Sequence, residues 1–452
     1  MGFLASLDVN HVLRLMDRMG EEIPAEAPWR CPHAEQWDQM TFKEFLLENT
    51  STQEARDFMR LFITLIVTSE PYQSSLLWFL WYVKQCGGTQ RIFATRNGGQ
   101  EFKMEGGTNQ ITERLADVVG RQALHLNSAV YYIEQQENAE AEAEEGSKSD
   151  GPRPRVTVKT LNGRTFTGER VIMATPPAVQ QKIHYQPPLP AMRNQLLQRT
   201  PQGTVFKCIV YYERAFWRSR GMCGSMLLLG DDEEVPVNYA LDDSKPDGGR
   251  PAIVGFLPAD KARKLMERTK EERLAIIVAS YAAAFATEEA LSPVHYEEQN
   301  WSAEQYSGGC YTMTLGPGFL TRYGPHLRRP VGRMHFAGTE TATEWSGYIN
   351  GAVQAGERCA REVLLELGRL TKQEAARAQV EPVSTEYPPL EVPAAGLYER
   401  YAPSARGFIT GAITAALSLA VVGVAFAVHS IGGADQCWSS LVQSYFGGGG
   451  GK

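Results

Sequence analysis

Near its C-terminus the chain carries an apolar run that few folds accommodate. Phe408–Val428 reads FITGAITAALSLAVVGVAFAV, and no Asp, Glu, Lys or Arg occurs between Arg406 and Asp435. At about 1.5 Å per residue a helix of this length crosses roughly the 30 Å hydrocarbon layer of a bilayer. A core helix would keep one polar face, and this run has none. Residues 406–430 are therefore expected to form a single transmembrane anchor, with Gly411, Ala412, Ala415 and Ala416 small enough to pack against a partner helix. Met1–Gly20 contains Asp8, Arg14, Asp17 and Arg18, which is unlike a secretory signal. With the anchor last, the body is expected on the cytosolic side.

The body ahead of the anchor is globular by composition. At roughly 150 residues per domain, 452 residues allow about three domains. Lys plus Arg number 45 against 52 Asp plus Glu, a net charge of −7, so no basic field is available for nucleic acid. The seven cysteines are odd in number and form no C-x-x-C pair, which favours reduced thiols. Only Cys31 and His33 fall close together, and no metal site is expected. Neither a G-x-S-x-G elbow nor a Walker loop occurs, which removes the best support for hydrolase or phosphotransferase chemistry.

Helical periodicity predicts helices over Thr41–Leu47, Thr52–Val67, Gln110–Val119 and Lys270–Phe285. Strand-like runs occupy 129–133, 155–161, 170–177, 205–212, 252–257 and 333–339. The acidic, small-residue stretch 134–155 lies between two of these strands and reads as a solvated hairpin insertion. Lys372–Pro403, with five prolines, reads as an extended strap before the anchor, and the closing GGGGGK as a flexible tail. Mixed strands and helices predict an α/β (α+β) body with more than one sheet.

Several loops are rich in glycine: QCGGTQRIF (85–93), NGGQEF (97–102), EGGTNQ (105–110), YSGGCYT (306–312) and HFAGTETATEWSGYINGAVQAGE (335–357). In the last, a strand feeds a Gly/Thr turn and then a helix, which presents oriented N–H groups to a phosphate or a ring edge. These segments, with RTPQGTVFKCIVYYERAFWR and VHYEEQNWSAEQYSGGCYT, resemble the flavin-containing monoamine oxidases. The resemblance runs from about Leu15 to the anchor. The GTE and SGY segments are shared across the wider flavin amine oxidase superfamily, whereas SGGCY is similar to the monoamine oxidase branch alone.

The resemblance implies two interleaved domains. Substrate-domain parts cover 1–104 and 197–303, parts of a Rossmann-like FAD-binding domain cover 105–196 and 304–368, and a strap (369–405), the anchor (406–430) and a tail (431–452) follow. It implies FAD bound covalently through its 8α carbon to Cys310, and oxidative deamination of amines by dioxygen to aldehyde, ammonia and hydrogen peroxide. Tyr311 and Tyr348 match the paired tyrosines that flank the substrate amine, and Lys207 matches the lysine that holds a water at the flavin N5 edge. Trp301 matches a tryptophan near the ring and the lysine. Gly338, Thr339, Glu340, Gly347 and Ile349 match other flavin contacts, and Val130 an adenine-side contact. Phe62, Leu65, Tyr82, Ile92, Phe93, Gln100, Tyr239 and Phe256 match residues lining the substrate cavity. A homodimer in the mitochondrial outer membrane is implied as well.

The family opens with a strand, a G-x-G-x-x-G turn and a helix that hold the ADP half of the cofactor. These 452 residues contain no such fingerprint, since GPG at 316–318 lacks the third glycine. The FAD-binding domain is accordingly expected to be truncated, with apolar sheet edges exposed. Two readings follow: a flavin-dependent monoamine oxidase, or a non-catalytic, membrane-anchored relative that binds full-length subunits.

Overall fold

The computed structural model describes residues 1–96, 98–136, 155–230, 236–380 and 396–430. The helices form where caps and apolar stripes direct them. Thr41 opens Phe42–Asn49 with a capping box to Glu44, and Thr269 opens Lys270–Phe285 in the same way with Glu272. Gln53–Val67 turns Ala55, Met59, Phe62, Ile63 and Ile66 inward, a 3–4 residue spacing that makes one buried face. Leu76–Gln85 is buried on nearly every side, Trp78 and Trp81 included, and forms the centre of the helical layer.

The N-terminal helix Phe3–Glu21 was not among the expected elements. It buries Ala5, Val9, Val12 and Met16 in the same cluster, following a stripe that the sequence does contain. Its buried Asp8 accepts hydrogen bonds from the Ser51 and Thr52 N–H groups, from the Thr52 hydroxyl and from the Ala405 N–H. One carboxylate thus satisfies free donors at the start of two other helices.

A five-stranded antiparallel sheet runs in the order His295–Asn300, Val205–Tyr211, Ala252–Pro258, Tyr239–Asp242, Met226–Leu227. Phe206, Cys208 and Val210 alternate inward and pack under Lys270–Phe285 through Ile277, Val278 and Tyr281. On the opposite face the register lines up Gln299, Lys207, Phe256 and Tyr239 across four strands.

A second sheet has the order Thr165–Gly168, Val156–Thr160, Val130–Gln135, His184–Gln186. Val130–Gln135 and Val156–Thr160 pair antiparallel, as expected of arms flanking a hairpin insertion; residues 137–154 lie outside the described residues. Met334–Phe336 pairs in parallel with Val171–Met173, and among the described residues no third strand joins them. Apolar side chains are exposed around these strands, on helices and a loop more than on the strands themselves. Asn109–Val119 has no buried residue, and Leu115, Val118, Leu126, Ile172 and Val353 are exposed.

The strap departs from its extended reading. Lys372–Val380 is helical, because its prolines all fall later and Thr371 caps it reciprocally with Glu374. Leu397–Tyr401 is a further helical turn, docked when Arg14 and Asn10 of the first helix donate to the carbonyls of Ala402 and Glu399. The terminal helix spans Ala405–Ser430. Its Ala405–Val424 portion has a mean hydropathy of 2.0 and is exposed from residue 406 on, so by length and composition it suffices to cross a membrane.

Candidate active site

The segment Gly309–Leu315 threads between the helical layer and the five-stranded sheet. Cys310 N donates to the Gly203 carbonyl at 2.9 Å and Gly203 N to the Thr312 carbonyl at 2.9 Å. A side chain at Gly203 would meet Thr68 Oγ1 and the Cys310 carbonyl, so only glycine permits this approach. Thr68, the left-handed residue that ends Gln53–Val67, donates from Oγ1 to the Cys310 carbonyl and accepts from Tyr311 N at 3.0 Å. The Cys310–Tyr311 peptide is cis.

Tyr348 arrives from the other side. Thr339 Oγ1 accepts from Gly347 N at 2.7 Å and donates to the Tyr348 carbonyl at 3.0 Å, closing the turn between Met334–Phe336 and helix Ile349–Glu366. Gly347 has φ +86°, and a Cβ there would lie 2.8 Å from the Tyr82 hydroxyl. Trp345 packs edge-on against Tyr348 at 5.1 Å. The Lys207 ammonium lies 5.6 Å from the Tyr311 ring centre and 4.8 Å from that of Phe256, its cross-strand neighbour. Such placements favour a cation over the ring faces.

Burial sets the electrostatics. It pushes the phenols of Tyr82, Tyr311 and Tyr348 well above their usual range, so all three are neutral hydroxyls at pH 7. Burial also lowers Lys207, opposed by the nearby Cys310 and Asp243, and pushes the Cys310 thiol up to about 11, opposed by Lys207.

The residues fit a flavin ring. Gly338 and Gly347 take positive φ where the chain would pass a flat ligand, and Gly309 leaves no room for a Cβ beside Cys310. Burial raises the Glu340 carboxyl, opposed by hydrogen bonds from its own backbone N–H and from Gln202 at a long 3.5 Å, and the buried Gln202 Oε1 has no partner. Unpaired polar groups at such a turn suit a ligand rich in donors and acceptors.

The expected cavity residues fall into neighbouring groups. Phe62 and Phe93 pack with tilted rings 4.3 Å apart, with Ile92 buried and Leu65 half-buried beside them on their helices. Tyr239 and Phe256 pair at 5.5 Å on the sheet. Tyr82 is fully buried behind Tyr348, and Trp301 follows directly on the strand that flanks Lys207. Gln100 is exposed, donating to the Ile92 carbonyl at 3.4 Å. Val130 and Ile349 are exposed at the starts of their elements, Ile349 directly after Tyr348. Thr68, Gln202 and Trp345 escaped sequence reasoning. Trp345 lies inside the Gly/Thr-rich segment 335–357, which was a usable signal, whereas Thr68 gave none.

The family profile described as "Flavin containing amine oxidoreductase" matches residues 3–364. The chain is 51% identical to a flavin-containing amine oxidase of Oncorhynchus mykiss over 92% of its own length and 76% of that protein. It is 49% identical to the flavin-containing amine oxidase B of Homo sapiens, covering 89% of this chain and 73% of that one. The solved cyclohexylamine oxidase from Brevibacterium oxydans IH-35A superposes with a TM-score of 0.71 at 29% identity, over 82% of this chain and 76% of that structure.

Proposed function

The chain belongs to the flavin-containing amine oxidoreductase family, and from that premise we propose that it deaminates primary arylalkyl monoamines, with some secondary and tertiary ones, to aldehyde, ammonia and hydrogen peroxide. It is an oxidoreductase using FAD, with amines and dioxygen as substrates. When bound, FAD accepts the hydride equivalent from the carbon bearing the amine and returns the electrons to dioxygen.

The chain's own residues prepare that transfer. Tyr311 and Tyr348 offer two neutral aromatic faces to the amine, and Phe62, Phe93, Tyr239 and Phe256 keep water from the carbon that is to react. Lys207 holds a proton donor at the ring edge, and Cys310 supplies the sulfur of a thioether to the flavin. Gly338, Thr339, Glu340, Gly347, Ile349 and Trp301 would contact the flavin, and Val130 its adenine side. The observation that carries this reading is the meeting of Cys310, Tyr311, Tyr348 and Lys207, from three separate stretches of chain, in one largely buried cluster.

The proposal includes a tail-anchored homodimer in the mitochondrial outer membrane with its body in the cytosol and no nucleic-acid partner. The apolar terminal helix, exposed over residues 406–424, and the net charge of −7 support it. The domain division set out from the sequence is part of the same proposal. Acid precipitation tests the linkage: flavin is expected to stay with the precipitated wild-type chain and to be released from Cys310→Ala. Free flavin from the wild type contradicts the thioether. A second reading, a non-catalytic anchored partner of another amine oxidase chain, is favoured by the unburied helix Asn109–Val119 and its exposed Leu115 and Val118. It predicts no retained flavin in either preparation.

A further inference from the structure

We propose that His335, Cys359 and Glu362 form a divalent metal site suited to Zn2+, which ties the strand entering the Gly338 turn to the far half of the helix leaving it. His335 lies on Met334–Phe336, and Cys359 and Glu362 lie one turn apart on Ile349–Glu366. The imidazole, thiol and carboxylate ligand atoms all fall within 4.8 Å of one another, with His335 Nδ1 3.8 Å from Glu362 Oε2. Two ligands on a tetrahedral ion stand roughly 3.4 Å apart, so small side-chain rotations close the triad.

The hydrogen bonding supports a ligand-holding role. His335 is wholly buried and its Nδ1 has no partner, while Nε2 meets Glu366 Oε2 at 3.2 Å. Glu362 Oε2 is buried without a partner, while Oε1 accepts from Arg358 at 2.6 Å. The Cys359 thiol is buried and free. His335 Nδ1 and Glu362 Oε2, neither within hydrogen-bond distance of a partner, face each other at 3.8 Å beside the buried Cys359 thiol, and on both side chains the opposite atom is held by a neighbour. Metal sites use this arrangement, in which a carboxylate on the far ring nitrogen fixes the tautomer and orientation of the ligand.

One nitrogen, one sulfur and one oxygen suit a borderline-soft ion, with water completing four-coordination. Arg358 on Glu362 and Arg170 on Glu366 (2.9 Å) already balance the two carboxylates, and Arg328 lies near Glu362. The additional negative charge therefore comes from Cys359, whose S–H proton is released as the sulfur–metal bond forms. No redox change is involved, and the site is independent of amine oxidation.

The test uses the full chain in mild detergent, without a histidine tag and loaded with Co2+ alone. The expected result is one Co2+ per chain and a sulfur-to-cobalt charge-transfer band that Zn2+ displaces. Cys359→Ser should abolish the band, and Glu366→Gln should weaken binding about 10–100-fold. Absence of the band overturns the proposal. So does a band that survives Cys359→Ser, which would put the ion on another thiol such as the exposed Cys223. Cys359→Ser preserves side-chain size, so its result stands whether or not a His335→Gln chain folds.

Discussion

At the residue scale, Cys310 couples the pocket's electrostatics to its chemistry. Burial outweighs the attraction of Lys207 and raises the thiol from 9.0 to about 11, yet forming a carbon–sulfur bond requires the thiolate. The rate of covalent flavin incorporation into apo-chain is therefore expected to rise close to tenfold per pH unit between about pH 7 and 9, followed as protein-bound flavin absorbance. A flat profile would contradict a thiolate-limited step. The same raised value means that the apo-fold binds the proton more tightly than the unfolded chain does. The associated stability is complete below pH 9 and is lost as pH rises through 11, a loss that Cys310→Ala should lack when melting temperatures are compared. Thr68→Val removes both hydrogen bonds to Cys310 and Tyr311. It should cost about 1–3 kcal/mol by urea unfolding and lower kcat more than it raises KM, because the Tyr311 ring would lose its fixed position. Cys310, Tyr311 and Tyr348 were legible because their neighbours in sequence carry a recognisable pattern. Thr68 was not, since its contact to Cys310 spans 242 residues and no local pattern encodes it.

At the scale of elements, the helices with caps or apolar stripes could be read to within a residue or two. Lys270–Phe285 coincides with its expected range, and Gln53–Val67 begins one residue late. Phe3–Glu21 was overlooked because Asp8 and Asp17 sit within its apolar pattern, and only the fold reveals what those carboxylates bind. Asp17 accepts from the N–H and hydroxyl of Thr89, and Asp8 gathers Ser51, Thr52 and Ala405. Asp8→Ala leaves those donors unpaired in a buried place. It is expected to destabilise the body by about 2–4 kcal/mol, read from the urea midpoint in detergent, whereas an exposed change such as Glu48→Ala should shift it by less than about 0.5 kcal/mol. The strap was misjudged for the opposite reason. Its prolines dominated the reading although none lies in Lys372–Val380, where the Thr371–Glu374 box starts a helix. The His335–Cys359–Glu362 grouping was hidden because a strand and a helix 24 residues apart supply it, outside any linear metal-ligand spacing.

At the scale of the whole molecule, an antiparallel sheet and a helical layer meet along Gly309–Leu315, and the pocket lies at that seam. The fold class and the apolar terminal helix were readable from composition and periodicity. How the sheet face of Lys207 and Phe256 would come to oppose Tyr311 and Tyr348 was not, because strand order and register are long-range properties. The central claim is that this arrangement binds FAD and delivers amines to it. Anaerobic titration of the purified, FAD-loaded chain with a primary arylalkyl amine, followed by flavin absorbance, tests it most directly. The account predicts near-stoichiometric, non-extractable flavin that bleaches as amine is added and recovers on admitting dioxygen, with an equivalent of hydrogen peroxide. Flavin that is not retained, or that is retained but stays oxidised in excess amine, would contradict it.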